Sequence, residues 1–309
     1  RIGLRCWSPP RRAEVRVALL ARVSVALLAL ALVACAPKGL DEARSALRTN
    51  DLPTARAVLE ADRERHPKSV PVRLALGEVY YRSARDALDW DDDEARYLAE
   101  LEKAVDEFVR AAALDPKNPQ PLFFLAMIDM YRGDLAAAQR GLRNVRRLGF
   151  GPIGDTNLAE SYVYAGDLVE ASRWNQSGRF AGAGLAAVTF NEMLMQWSAG
   201  DLASARKSFE ILRARYPEMI RTINVAPLPT APQRFEEFAG YCCASPACGP
   251  YLEHACAALS LPVKHREISE ETLLQELRLE METQRQLREI YQRKELELEV
   301  EDEKEEPAR

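Results

Sequence analysis

Histidine is scarce in this chain of 309 residues: three occur, His66 beside Pro67, and His254 and His265 near a group of cysteines. That leaves little material for imidazole acid–base chemistry or a histidine-rich metal site. G-x-S-x-G, H-E-x-x-H and phosphate-cradling glycine loops are missing as well. No residue therefore argues for catalysis, and the reading is a non-enzyme with no cofactor and no metal. Only 7% of residues are aromatic, and no strand-like run is long enough for a sheet. The abundance of Ala, Leu, Arg and Glu argues for helix throughout. Basic charge is also lacking: 42 Lys and Arg face 47 Asp and Glu, a net of −5. A chain without a basic stripe is a poor nucleic-acid binder.

What is present begins with a periodic hexapeptide. Gly-Asp-Leu-x-x-Ala starts at Gly133, Gly166 and Gly200, and a near copy, Asn-Asp-Leu-x-x-Ala, starts at Asn50. Gly, and next best Asn, can take the left-handed conformation that ends a helix. The following Asp caps a second helix, and Leu begins its buried face. The small Ala lets two helices cross closely. Apolar residues recur four past the Ala (Leu59, Phe108, Leu142, Phe209), and Pro67, Pro116 and Pro217 stop the second helix.

This combination of turn, crossing and terminator resembles the tetratricopeptide repeat family, over about residues 36 to 217. The resemblance implies an all-α, right-handed superhelical solenoid of helix hairpins spanning 35–217, with about five repeats, the first irregular. Two units depart from the pattern. The second carries about fifteen extra residues between Tyr80 and Ala104, an insertion near 82–100. The fourth has Asn175 and Gly178 at positions that are usually apolar.

In that family the first helix of each hairpin lines a concave face. The matching positions here are Tyr81, Arg82, Phe123, Met127, Met130, Tyr131, Glu160, Val163, Tyr164, Phe190, Leu194 and Trp197. Their aromatic and methionine-rich character implies a groove for an apolar extended or helical protein segment. The alternative is internal packing of part of this strip, above all of Trp197.

The first 34 residues read as a secretory signal: Arg11, Arg12, Arg16 and Arg22 precede the apolar run Val23 to Val33. That run is shorter than the roughly 20 residues of a membrane-spanning helix. With no Met before Met127, Val15 is the expected initiating residue. The ending Leu32-Val33-Ala34-Cys35 resembles a bacterial lipobox, which implies acyl chains on Cys35. Ordinary cleavage, with Cys35 a small apolar residue, is the alternative. Ala36 after the cysteine implies passage to the outer membrane. The mature chain would carry a net charge of −10.

Cys242, Cys243, Cys248 and Cys256 cluster within fifteen residues in the 218–268 segment. In an exported protein such a set reads as two disulfides of open connectivity, with an adjacent Cys242–Cys243 bond least compatible with relaxed geometry. A zinc site is the weaker reading, because paired C-x-x-C spacing is absent. Asp89, Asp91, Asp93 and Glu100 fit ligand positions of a calcium loop, but Glu94 stands where that loop needs Gly. An acidic turn that starts a helix from Glu94 to Ala113 is preferred.

In the 269–309 region, Ser269 is expected to cap a helix whose face carries Leu274, Leu277 and Met281, covering the end of the solenoid or binding a partner. From Lys294 the acidic stretch reads as a solvated, disordered tail. The whole is similar in organisation to bacterial tetratricopeptide lipoproteins that assemble secretins, pili or outer-membrane machines. That implies a protein-binding scaffold on the periplasmic side of the outer membrane, or else a permanent subunit of an envelope complex.

Overall fold

The computed structural model describes residues 39–223, 226–228, 230–245 and 248–305. The signal segment 1–34 and Cys35 lie outside the described residues.

Ten helices form five consecutive hairpins: α1 (Gly39–Arg48) with α2 (Leu52–Arg65), α3 (Val70–Asp89) with α4 (Glu94–Leu114), α5 (Gln120–Arg132) with α6 (Leu135–Arg147), α7 (Gly151–Tyr164) with α8 (Leu168–Phe180), and α9 (Leu185–Ser198) with α10 (Leu202–Arg215). Each helix packs on its sequence neighbour, which makes the architecture an all-α solenoid. A two-residue ladder pairs Thr222–Ile223 with Ala226–Pro227. Then follow α11 (Phe235–Cys243), a 3₁₀ turn (Gly249–Leu252), α12 (Glu253–Ala257) and the long α13 (Glu270–Glu305).

The repeated hexapeptide works at the turns as its chemistry requires. Gly133, Gly166 and Gly200 have φ of 93°, 74° and 81°, and Asn50 has 57°. Asp51, Asp134, Asp167 and Asp201 each accept a hydrogen bond from the backbone N–H three residues on. Such caps stabilise a helix by about 1 kcal/mol each. Ala55, Ala104, Ala138, Ala171 and Ala205 are fully buried, as are Leu59, Phe108, Leu142 and Phe209. Helices α2, α4 and α10 end two residues before Pro67, Pro116 and Pro217. The residue preceding each proline has left the helical region, as ring sterics demand.

Both departures from the repeat have a packing reason. Asn175 donates to the Val188 carbonyl at 3.1 Å and accepts from Asn191, which also donates to the Thr156 carbonyl. This buried polar link ties α7, α8 and α9 together. A Cβ at Gly178 would stand 2.9 Å from the Thr156 methyl, so glycine lets α8 approach α7. The extra residues of the second unit do not form a loop. They lengthen the end of α3 and the start of α4, with a four-residue turn from Trp90 to Asp93.

That extension receives the C-terminal helix. Ser269 caps α13 through its hydroxyl, which accepts from the Thr272 N–H at 3.2 Å, and Glu94 of α4 accepts from the Ser269 N–H and hydroxyl. Helix α13 docks along α4, not over the end of the stack, and the face it uses is not the expected one. Thr272, Glu276, Thr283 and Leu287 are buried, whereas Leu274, Leu277 and Met281 face solvent. The helix also continues to Glu305, beyond the Lys294 boundary drawn for a disordered tail. Glu, Leu and Lys are strong helix formers, and their intrinsic preference carries the helix on.

Candidate functional site

The first helices of the hairpins, α3, α5, α7 and α9, present a continuous inner strip. Tyr81 and Arg82 come from α3; Phe123, Met127, Met130 and Tyr131 from α5; Glu160 and Tyr164 from α7; and Phe190 from α9. Tyr81, Met127, Met130 and Tyr131 are at most 1% exposed, Tyr164 is 5% and Phe190 8% exposed. Phe123, half-buried, sets its ring against Phe124 at 5.5 Å, and Arg82 and Glu160 are also partly covered.

The cover is the chain's own segment from α11 to the start of α13. Tyr251 stacks on Tyr164 at 5.2 Å between ring centroids and donates its hydroxyl to the Met130 carbonyl at 3.2 Å. Phe238 meets Phe190 edge-on at 5.9 Å, and Phe235 meets Trp197 at 5.6 Å. The Trp197 indole N–H donates to the Ala255 carbonyl, and His254 Nε2 contacts the Ser198 carbonyl at 2.6 Å. Lys264 donates to the Asp89 carbonyl at 2.8 Å. The strip expected as an open groove is therefore closed over Met130, Tyr164 and Phe190, while Arg82 lines an open cleft beside it and Phe123 stays half-buried. A covering segment attached to the same chain has a far higher effective concentration than a separate partner.

Two covalent links hold the cover in shape. Cys242 pairs with Cys248 and Cys243 with Cys256, at Cα–Cα distances of 5.3 and 6.0 Å. All four are buried, and the second pair fastens α11 to α12.

Several charged groups buried near this cover are paired. Tyr131 donates its hydroxyl to Asp89 at 2.6 Å, Arg85 pairs with Asp89 at 2.9 Å, and the Arg85 and Arg266 guanidinium groups lie 5.0 and 5.7 Å from the Tyr131 ring centre. Glu276 of α13 accepts from Tyr97 and pairs with Arg266, and Arg132 stands 3.6 Å away. Desolvation, reinforced by Asp89, holds the Tyr131 hydroxyl well above its ordinary pKa, and desolvation does the same for Tyr164 beside Glu160. Burial also raises the Glu160 carboxyl, although the Tyr164 hydroxyl donates to it at 2.8 Å, and pushes Asp129 up to about 7.

The calcium-like carboxylates are held apart by separate duties. Asp89 serves Arg85 and Tyr131, Asp91 pairs with Arg96 at 2.8 Å, Asp93 caps α4 through the Arg96 N–H, and Glu100 pairs with Arg56 and Lys103. Sequence reading missed Arg85, Arg266, Glu276 and Tyr251. The local signals were the Arg85–Asp89 spacing of four and the Arg266–Glu276 spacing of ten, whereas Tyr97–Glu276 and Met130–Tyr251 lie 179 and 121 positions apart.

Beside the strip a cleft of about 1210 Å³ stays open between the α1–α2 turn, the end of α3, the start of α4, and Glu218, Arg221, Leu228, Thr230 and Ala231. Arg48, Arg82, Arg96 and Arg221 line it with Asp86, Asp91 and Glu218, and the Trp90 ring stands at it 47% exposed.

The hairpins, their capped turns and their small crossing residues define an all-helical repeat solenoid, an arrangement consistent with the tetratricopeptide pattern. No family model matches the chain, and no curated protein matches it by sequence. A solved structure from Pseudomonas aeruginosa, that of PilF, aligns with 58% of this chain and 95% of its own length, at 20% identity and a TM-score of 0.31. The class rests on the hairpins themselves. Among the described residues no helix is long and apolar enough to cross a membrane.

Proposed function

We propose that this is a lipid-anchored periplasmic scaffold that binds other proteins, an assembly factor for an envelope machine such as a secretin, a pilus or an outer-membrane complex. The half-exposed Trp90 in the arginine-lined cleft carries this reading, because an exposed indole in a concave site is the kind of anchor that dominates protein interfaces. Arg82 is held by Glu78 and Arg221 by Glu218, and Asp86 and Asp91 share the lining, so the cleft suits a segment of mixed polar and apolar side chains. The anchor in this reading is acyl chains on Cys35, each buried CH₂ contributing about 0.8 kcal/mol of membrane binding.

A photocrosslinker at Trp90 in intact envelopes should capture a defined protein, and Trp90→Ala should weaken that capture by roughly 2 kcal/mol without lowering thermal stability. Unchanged capture by Trp90→Ala would remove the cleft from the function. Cys35→Ala should release the protein from membranes, and its continued fractionation with the outer membrane would refute the anchor.

A second reading, a permanent subunit of an envelope complex, gains support from the disulfide-fastened cover over the inner strip, since a sealed face cannot load and unload. Exchange separates the two. An assembly factor swaps its crosslinked partner within a pulse–chase, and a subunit keeps it.

A further inference from the structure

The net charge of −5 conceals where the charges lie. The outer helices of the last three hairpins, α6, α8 and α10, carry ten arginines and lysines against two carboxylates, Glu170 and Glu210. Their inner partners α5, α7 and α9 carry one arginine against four carboxylates. A basic stripe therefore runs along the outer side of the solenoid, although the balance over the whole chain argued against one. Helix α6 is its centre, with four arginines and no acid.

The carboxylates near the stripe do not cancel it. Arg146, Arg173, Arg179, Arg206 and Arg213 pair with Asp155, Glu170, Glu192, Glu236 and Glu210. Among the described residues Arg140, Arg143, Arg147, Lys207 and Arg215 form no ion pair, and all but the half-buried Arg143 are exposed. Arg143 donates to the Tyr162 hydroxyl, and Arg147 reaches the Asn144 side chain. Apolar side chains stand beside these cations. Asp155 accepts from both Arg146 and Ser177 at 2.7 Å, so α6 and α8 end side by side. Phe180, one turn beyond Ser177, is 88% exposed, and the four residues after it, Ala181 to Gly184, are too small to cover it. Leu185 and Ile153, at the starts of α9 and α7, lie on the same edge of the solenoid, exposed by 60 and 38%.

We infer that this side of the protein is a contact surface for an anionic phospholipid bilayer, with Arg140, Arg143 and Arg147 against the headgroups and Phe180 inserted at the acyl boundary. Guanidinium groups bind phosphate through forked hydrogen bonds and are drawn to a negative surface potential. The acidic remainder of the chain does not prevent this, because charges beyond a Debye length of about 8 Å are largely screened. Phe180, Leu185 and Ile153 stand singly among the cations. A fluid interface moulds itself around each, whereas a rigid partner would need three separate pockets. The phosphate backbone of a nucleic acid attracts the same arginines but has no apolar receptor for Leu185 and Ile153. The inference rests neither on acyl chains at Cys35 nor on the cleft at Trp90.

Co-sedimentation with vesicles tests it, on the chain from Cys35 onward carrying Cys35→Ala, so that no acyl chain contributes. Vesicles of about 30% phosphatidylglycerol in phosphatidylcholine should bind the protein roughly tenfold more tightly than pure phosphatidylcholine, and the difference should vanish at about 0.5 M NaCl. Arg140→Glu with Arg147→Glu should cut this binding by about tenfold. Arg285→Glu with Arg288→Glu, an equal change of net charge at exposed sites on α13, should leave it unchanged. Phe180→Ser should weaken it by about fivefold. All these positions are exposed, and helical ellipticity before each run confirms folding. No binding, or equal binding to neutral and anionic vesicles, overturns the proposal. So does binding that the α13 reversal weakens as much as the α6 reversal. Full binding by Phe180→Ser also overturns it, because a purely ionic surface suits an acidic protein or a nucleic acid instead.

Discussion

Tyr164 and Tyr251 stack at 5.2 Å between ring centroids, 27° from parallel, although 87 positions separate them. One projects from the inner face of the fourth hairpin, and the other belongs to the cysteine-linked segment that lies across that face. Their contact means that the face closes on its own chain. Whatever the protein binds must meet it elsewhere or displace a covalently fastened cover.

Replacing Tyr131 by Ala should destabilise the protein by about 3–5 kcal/mol, because it opens a cavity and strips Asp89 of a buried donor. Urea denaturation measures it. A change below about 1 kcal/mol would mean that the cover is loose enough to leave this ring solvated.

Glu276 balances Arg266 and Arg132 in a dry contact between α13 and the hairpins. Glu276→Ala leaves two arginines without their carboxylate and should lower stability by about 3–5 kcal/mol. Hydrogen exchange should show α13 and residues 262–268 opening first, before the amides of α9 and α10.

Asp129 gives a pH signature. Burial is the main cause of its raised pKa, opposed by Arg132 and reinforced by Glu280, and the value is about 7 against an ordinary 3.8. The folded state then holds this proton more tightly than the unfolded chain. Its stabilising contribution is complete below about pH 4 and is lost as pH rises towards 7. Asp129→Asn should remove this slope and stabilise the protein at pH 8 by on the order of 3 kcal/mol. Equal slopes for wild type and variant between pH 4 and 7 would contradict the assignment.

Digestion without reduction should yield peptides joined as Cys242–Cys248 and Cys243–Cys256. The longer link closes a loop of 13 residues and should contribute about 3 kcal/mol in the chain-entropy model. Reduction should accordingly expose Tyr164 and Trp197 to quenchers while the hairpin helices persist. Loss of all ellipticity on reduction would show that the hairpins cannot stand without the cover.

The hairpins were legible because their determinants are local. A turn such as Gly133-Asp134 needs a positive φ and a cap within three residues, and the Ala138 crossing follows at a set offset. These requirements recur with the repeat, so spacing alone exposes them. The helix from Glu94 was equally local, since Asp93 caps it and its formers continue to Leu114. The fate of the inner strip was not legible. Periodicity places Tyr131 and Tyr164 on one face but is silent on what lies against that face.

Tertiary structure decided that the cover comes from residues 235–245 and 248–268, reached through contacts such as Tyr251 with Met130 and Lys264 with Asp89. It decided too which side of α13 turns inward. An apolar stripe predicts burial, yet Glu276 and Thr272 are inside, because Tyr97, Arg266 and Glu94 are waiting there to pair with them. Hydrophobic periodicity reads a residue's preference for leaving water. Only the folded chain sets which partners are within reach when it does.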